Sequence, residues 1–266
     1  GEGSQRQLMV SPFSFMKIGG IFITHMHGDH FFGLPGLLQT MGLSGRKAPL
    51  TVCGPTGFSA AAAAVLGACE GDIPYELTLR DISPGDALEF KDLTVEAFAT
   101  EHGIPSLGYL VRAHDSRGRF DKSKALALGL EQADFAKLQA GETVNGVPPE
   151  AVMGPTRKGR IIAYSGDTLK CASLQEAVAG ADVLIHEATY GESEAENARL
   201  YMHSTARQAA ETARDAECSA LIITHISNRY DDREVLRAEA REVFDNTFLA
   251  EDLALFTLGR DGLKRA

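Results

Sequence analysis

Ile21-Phe22-Ile23-Thr24-His25-Met26-His27-Gly28-Asp29-His30 is the stretch on which the reading of this chain turns. Its first four residues are apolar, β-branched or aromatic and make a short strand. The chain then delivers three imidazoles and a carboxylate within six residues. The strand before them and Gly28 among them put these groups in a loop, not on a helix face. Imidazole and carboxylate together suit zinc, and also manganese, iron or nickel. His25 and His27 can converge on one cation, and Asp29 and His30 can point to a second.

Two adjacent cations need more donors than this loop holds, and the rest of the chain offers them in a regular place. The strand-like run Leu93–Ala99 leads to His102, and Ile161–Tyr164 runs into Ser165-Gly166-Asp167-Thr168. The run 182–185 ends at His186-Glu187, and Leu221–Thr224 ends at His225. Each lies just past the carboxyl end of an apolar strand, where α/β proteins gather their active sites. Donor chemistry assigns His25, His27 and His102 to one ion and Asp29, His30 and His225 to the other, with Asp167 bridging. Open positions remain for water and substrate. Ions about 3.5–4 Å apart would bring the pKa of a water between them down towards ~7.

Helix-like segments alternate with these strands. Helices are expected over 34–43, over 55–69 with Pro55 at the start, over 174–178, over 205–217 with Ser204 or Thr205 as cap, and over 232–244. Further strands are expected over 50–53, twice or three times between 75 and 100 around the turn Ser83-Pro84-Gly85-Asp86, and over 253–258. Such alternation argues for a layered α/β architecture. From Val111 to Arg160 the periodicity weakens and no core face is evident, the mark of an insertion with a task of its own.

Composition bounds the function. The chain has 266 residues, 44% of them hydrophobic and 23% charged, which fits one large soluble domain able to bury a sizeable core. A net charge of −10 and a pI near 5.3 exclude a general nucleic-acid coat but not a local basic site. Cys53, Cys69, Cys171 and Cys218 are scattered, without a CxxC pair, and read as reduced thiols of a cytoplasmic protein. No apolar run approaches 18 residues, so no membrane span is expected. No basic-then-apolar leader is present, and the opening at Gly1 reads as a chain cut upstream.

The motifs resemble the metallo-β-lactamase superfamily and, within it, the ribonuclease Z family of tRNA 3′-processing endonucleases in its short form. The resemblance rests on Gly1-Glu2-Gly3-Ser4-Gln5, the His-x-His-x-Asp-His motif, Phe32-Gly33-Leu34-Pro35-Gly36, and His102-Gly103-Ile104-Pro105-Ser106. It continues through Ser165-Gly166-Asp167-Thr168, His186-Glu187-Ala188-Thr189, His203-Ser204-Thr205 and Thr224-His225-Ile226-Ser227-Asn228-Arg229-Tyr230. The first histidine motif marks only the superfamily; the later segments, in this order, are far more specific. The resemblance implies an α/β fold, a four-layer αββα sandwich over residues 1–266. It also implies an inserted tRNA-binding arm at 111–160, and about 45 residues of family N-terminal strands missing before Gly1.

It implies two Zn2+ per subunit, with Mn2+ also compatible, held by His25, His27, Asp29, His30, His102, Asp167 and His225. It implies removal of 3′ trailers from precursor tRNA by metal-hydroxide attack on a phosphodiester, leaving a 3′-OH on the tRNA. Asp29 would act as base and His203, supported by Glu187, as proton donor to the leaving oxygen. His186 would brace the site. Thr189, Ser204, Ser227 and Arg229 would line the phosphate path, the guanidinium being suited to bidentate contact. Arg112, Arg117, Arg119, Lys122 and Lys124, joined by Arg157, Lys158 and Arg160, would grip the tRNA body. A homodimer in the cytoplasm is implied as well. The family's Gly-Pro of the arm is absent from Glu131-Gln132-Ala133-Asp134-Phe135, so a smaller arm or a different grip is expected. Two rival readings stand beside this one: a small-molecule phosphodiesterase or ester hydrolase of the same superfamily, and a non-catalytic truncated paralogue.

Overall fold

The computed structural model describes residues 1–266 as two compact units, Gly1–Val111 with Ile161–Ala266, and Arg112–Arg160. In the larger unit, β1 (Gly20–Phe22), β2 (Leu50–Gly54) and β3 (Leu77–Asp81) form a parallel sheet in that order. The next seven strands are β4 (Ala87–Glu89), β5 (Leu93–Ala99), β6 (Leu107–Ala113), β7 (Ile161–Tyr164), β8 (Val183–Glu187), β9 (Leu221–Thr224) and β10 (Thr247–Leu249). They make a second sheet in the order β10-β9-β8-β7-β6-β5-β4, with β7 to β10 parallel and β4–β5 antiparallel. A separate hairpin pairs β11 (Phe256–Gly259) with β12 (Gly262–Arg265).

Alternation along the strands sorts their side chains into layers. Val52 of β2 packs with Leu34, Leu38 and Met41 of helix Gly33–Leu43 and with Phe58 of helix Phe58–Ala68. Its neighbour Cys53 faces the other way, against Val95, Ala97, Leu107 and Tyr109 of the second sheet. Phe98 and Leu110, on the far face of that sheet, join Leu174, Ala209, Ala213 and Leu236 of helices Ala172–Ala177, Ala206–Asp215 and Glu234–Arg241. Helix, sheet, sheet, helix is thus the order of layers, the αββα sandwich expected. The strands 161–164 and 221–224 fall where their apolar runs put them. The helix at Ala206–Asp215 starts on a Thr205/Gln208 capping box. All four cysteines are free.

Several boundaries move. Pro55 does not open the second helix. That helix starts at Phe58, behind Gly57 in the left-handed region (φ 91), and its cap comes through space. Asp81, at the end of β3, accepts the Gly57 and Ser59 N–H groups at 2.7 and 2.6 Å, which hold its carboxyl below the usual range. The strand expected over 253–258 is displaced into the β11–β12 hairpin by a turn with Leu253 at φ 63. Strands β6 and β10 and helix Ser4–Val10 add to what the periodicity predicted.

The smaller unit, far from lacking a core face, has a core of its own: Ala125, Leu130, Leu138, Val144 and Val152, flanked by Phe120, Phe135 and Val147. Two short helices, Lys122–Ala127 and Phe135–Ala140, and isolated bridges Ser116–Arg157 and Phe120–Met153 frame it. Gly118 is required there, since a Cβ would stand 2.1 Å from the Gly154 carbonyl oxygen. Its residues spread too little apolar pattern over short elements for a period to show.

Arg46 is a buried cation in the larger unit with no carboxylate beside it. Its guanidinium donates to the carbonyls of Met16, Ile18, Ala48 and Pro49 at 2.7–3.1 Å and lies over the Tyr75 ring. It thereby ties the approach to β1 to the approach to β2. Arg46→Ala strands these acceptors and is expected to cost about 2–4 kcal/mol in urea unfolding. Arg46→Lys, lacking the planar fork, should recover only part.

Candidate metal centre

The parallel register of β7, β8 and β9 brings Asp167, Glu187 and His225 to one edge, and the segment after β1 meets them there. Gly166 makes the turn after β7 with φ 62, and a Cβ on it would press on Thr24 at 2.9 Å. The Asp167 carboxylate is buried, and its Oδ2 lies 3.3 Å from His30 Nε2, 3.4 Å from His225 Nε2 and 3.7 Å from His25 Nε2. Burial alone would raise its pKa. The hydrogen bond from His30 and the charges of His225, His30 and His25 outweigh burial and hold the carboxyl well below its ordinary value.

His25 is fully buried, with Nδ1 3.0 Å from Thr24 Oγ1 and with Nε2 lacking any hydrogen-bond partner. Burial pushes its pKa down to about 3, with Asp167 opposing, so the ring is neutral. His102 donates Nδ1–H to the Met202 carbonyl at 2.9 Å, which leaves its Nε2 as an acceptor. That nitrogen faces His27 Nδ1 at 3.3 Å. Two nitrogens on one tetrahedral ion with bonds of ~2.0–2.1 Å stand about 3.3–3.4 Å apart, so the pair is spaced as co-ligands are. His30 Nε2 is also 3.3 Å from Asp29 Oδ2; burial works against its protonation, but Asp167 and Asp29 raise its pKa overall.

Candidate donor atoms cluster within 4.8 Å as His25/His27/His102 and as Asp29/His30/His225, with Asp167 grouped with His25 and His30. An orphaned nitrogen on the buried His25 ring and a buried carboxylate approached by three imidazoles fit a divalent-metal centre.

A second layer of hydrogen bonds orients this one. Glu187, 1% exposed, accepts four: Thr168 N–H and His203 Nδ1 on Oε1, and Thr189 N–H and hydroxyl on Oε2. The Thr189 hydroxyl in turn accepts from His225 Nδ1 at 2.8 Å, so His225 Nε2 is the nitrogen turned to Asp167. His203, 2.7 Å from Glu187, stacks on His225 with ring centroids 5.3 Å apart. Burial opposes protonation of His203, but the Glu187 hydrogen bond and charge raise its pKa. Met202 (φ 60) and His225 (φ 55) both hold the left-handed conformation that non-glycine residues avoid, and both touch this centre.

The remaining expected site residues are placed differently. Ser204 is fully buried, and its hydroxyl donates to the Thr168 carbonyl, so it braces the site rather than lining a phosphate path. Thr189 is spent between Glu187 and His225. Arg229 lies over the Tyr190 ring at 4.6 Å and donates to Glu194 and Ser227. His186 points into the core, with Nδ1 on the Glu187 carbonyl and Nε2 unpartnered. Arg117, Arg119, Lys122 and Lys124 are exposed in the smaller unit with Arg112 half-buried, and Arg117 donates to the Gln139 carbonyl. The Met202 carbonyl was invisible to residue-type reasoning, because a main-chain oxygen has no sequence signal.

Three comparisons set this site among known proteins. A family model described as the β-lactamase superfamily domain matches residues 3–130. The chain is 45% identical over 261 residues to a ribonuclease Z of Methanosarcina mazei, covering 95% of this chain and 85% of that protein. It is 40% identical over 260 residues to a ribonuclease Z of Bacillus licheniformis, with the same two coverages. Among solved structures it is similar to the short form of human tRNase Z, with TM-score 0.66, 26% identity, and 95% and 84% of the two chains covered.

Orienting partners of this kind are worth about 10–100-fold in metal affinity. Thr189→Val keeps the shape but removes the hydroxyl that links Glu187 to His225. It is expected to weaken divalent-metal retention by about that factor in competition with a chelator.

Proposed function

The chain belongs to the ribonuclease Z family of the β-lactamase superfamily, and on that footing we propose how this centre carries out tRNA 3′ processing. It is a metal-dependent hydrolase, an endoribonuclease whose substrate is precursor tRNA. The observation that carries the assignment of roles is the convergence of two donor triads on Asp167.

His25, His27 and His102 would hold one zinc ion and Asp29, His30 and His225 a second, with Asp167 between them. When bound, the pair supplies Lewis acidity to phosphoryl oxygens and makes water at the centre more acidic. The chain's own residues do the rest. Asp29, whose side chain is about two-thirds exposed at the mouth of the centre, takes the proton of the attacking water. Water oxygen bonds to phosphorus as the bond from phosphorus to the 3′ oxygen of the tRNA breaks. His203 gives its proton to that leaving oxygen. Its Nδ1–H stays on Glu187, which fixes the ring and favours the protonated form. The products are a 3′-OH on the tRNA and a 5′-phosphate on the trailer.

The segment Arg112–Arg160 is proposed as the tRNA grip. It carries nine Lys and Arg against six Asp and Glu, a net of +3, while the rest of the −10 chain carries −13. Phosphate contacts from such a patch add affinity without touching the chemistry. No helix is long and apolar enough to cross a membrane. A cytoplasmic homodimer is the family-based expectation, and sedimentation of the purified chain reads the dimer directly.

The deciding experiment is cleavage of end-labelled precursor tRNA bearing a 3′ trailer, with and without chelator, mapping the product end. One chelator-sensitive cut that leaves a 3′-OH is expected; no cut by folded, metal-loaded protein overturns the reading. His203→Ala should lower turnover by about 10²–10⁴-fold with metal content unchanged. Replacing 112–160 by a short linker should weaken precursor-tRNA binding and flatten its salt dependence, while hydrolysis of a chromogenic phosphodiester persists. Unchanged tRNA binding would sink the role given to the segment.

A further inference from the structure

The turn that carries His203 holds more than the proton donor. Helix Ala195–Leu200 stops at Tyr201, and Met202 then takes the left-handed conformation, φ 60. The reversal is closed by His203 N–H on the Ala198 carbonyl at 2.8 Å. The Met202 carbonyl receives His102 Nδ1–H, so the turn is anchored to the metal centre. On this anchored turn Leu200 is 71% and Tyr201 57% exposed. The exposed aromatic ring thus sits on a turn whose strained residue, Met202, is held in place by the His102 contact. Beside it, Tyr190 is buried under the Arg229 guanidinium with its ring 6.2 Å from that of His203. Burial holds the Tyr190 phenol above its usual pKa, against the charge of Arg229. Tyr201 stands on this same turn, two residues before His203.

We infer that Tyr201 is the stacking platform for the base of the nucleoside whose 3′ oxygen leaves, the last nucleoside of the mature tRNA. The inference rests on the endonuclease reading above and on its polarity. His203 protonates the 3′ oxygen on the tRNA side of the cut, so the nucleoside nearest to it is the one that keeps that oxygen. Its base lies one ribose away. Tyr201 is two residues from His203, within about 7 Å along the chain. An aromatic face binds any base by stacking and tolerates all four, which suits an enzyme that must accept tRNAs differing at this position. Tyr201 is thus a positioning residue: it holds the leaving nucleoside so that its 3′ oxygen meets His203.

The test uses the metal-loaded full chain with two precursor tRNAs, one intact and one with an abasic residue in place of that last base. Tyr201→Ala should lower kcat/KM on the intact substrate by about 5–100-fold, the range for loss of one base–aromatic stack. It should change kcat/KM on the abasic substrate less than twofold, and Tyr201→Phe should behave as wild type on both. Wild type should itself lose a similar factor on the abasic substrate. An equal loss on both substrates, as a disturbed turn or altered association would give, overturns the inference, and so does no loss on either. If wild type leaves precursor tRNA uncut, the endonuclease reading fails and takes the inference with it; in every other case the two are judged separately.

Discussion

One buried carboxylate, Asp167, holds the centre together. Its Oδ2 is approached by imidazoles from three separate parts of the chain: His25, His30 and His225. A carboxylate in that position is costly to bury without positive partners. Its neighbours are rings that are themselves largely desolvated and repel one another when charged. A divalent cation relieves both strains at once, because it answers the carboxylate's charge and takes imidazole lone pairs in place of ring protons. The parallel register of β7, β8 and β9 and the turn at Gly166 are the means by which the fold brings that carboxylate to the imidazoles.

The same economy of atoms runs through Glu187. Both of its oxygens are saturated by four donors, and through Thr189 it sets the tautomer of His225 while it directly orients His203. One buried side chain thereby links the His203 ring to the His225 ring. The strained backbone at Met202 and His225 is tolerated because each residue is fixed by such contacts: Met202 by the His102 ring, His225 by Thr189. Charge is divided differently. The smaller unit folds around its own core and carries a positive excess, while the larger unit, which holds the metal-donor residues, carries the negative one.

Much of this was legible in the residues. Ile161–Tyr164 and Leu221–Thr224 are unbroken apolar runs bounded by polar turns, and local pattern suffices for such strands. Thr205 and Gln208 form a cap that acts over three residues. Other features escaped because their cause is distant. Helix Phe58–Ala68 is capped by Asp81 from the end of β3, so nothing near Pro55 announces where it begins. Strand β6 follows Pro105 and contains Gly108 and Arg112, which dilute its pattern, and its place in the sheet comes from its neighbours.

What this sequence determined by itself was chemistry by residue type and position: a donor set of imidazoles and carboxylates at strand ends, a layered α/β order, and a basic insertion. What tertiary structure decided was which atoms of those residues meet. Ser204 became a brace and not a contact, Thr189 a link between Glu187 and His225, and the Met202 carbonyl the group that turns His102. The physical reason is separation along the chain. His25 and His225 lie 200 residues apart yet share one carboxylate. Hydrogen-bond direction and burial at that meeting point arise only when the sheets close.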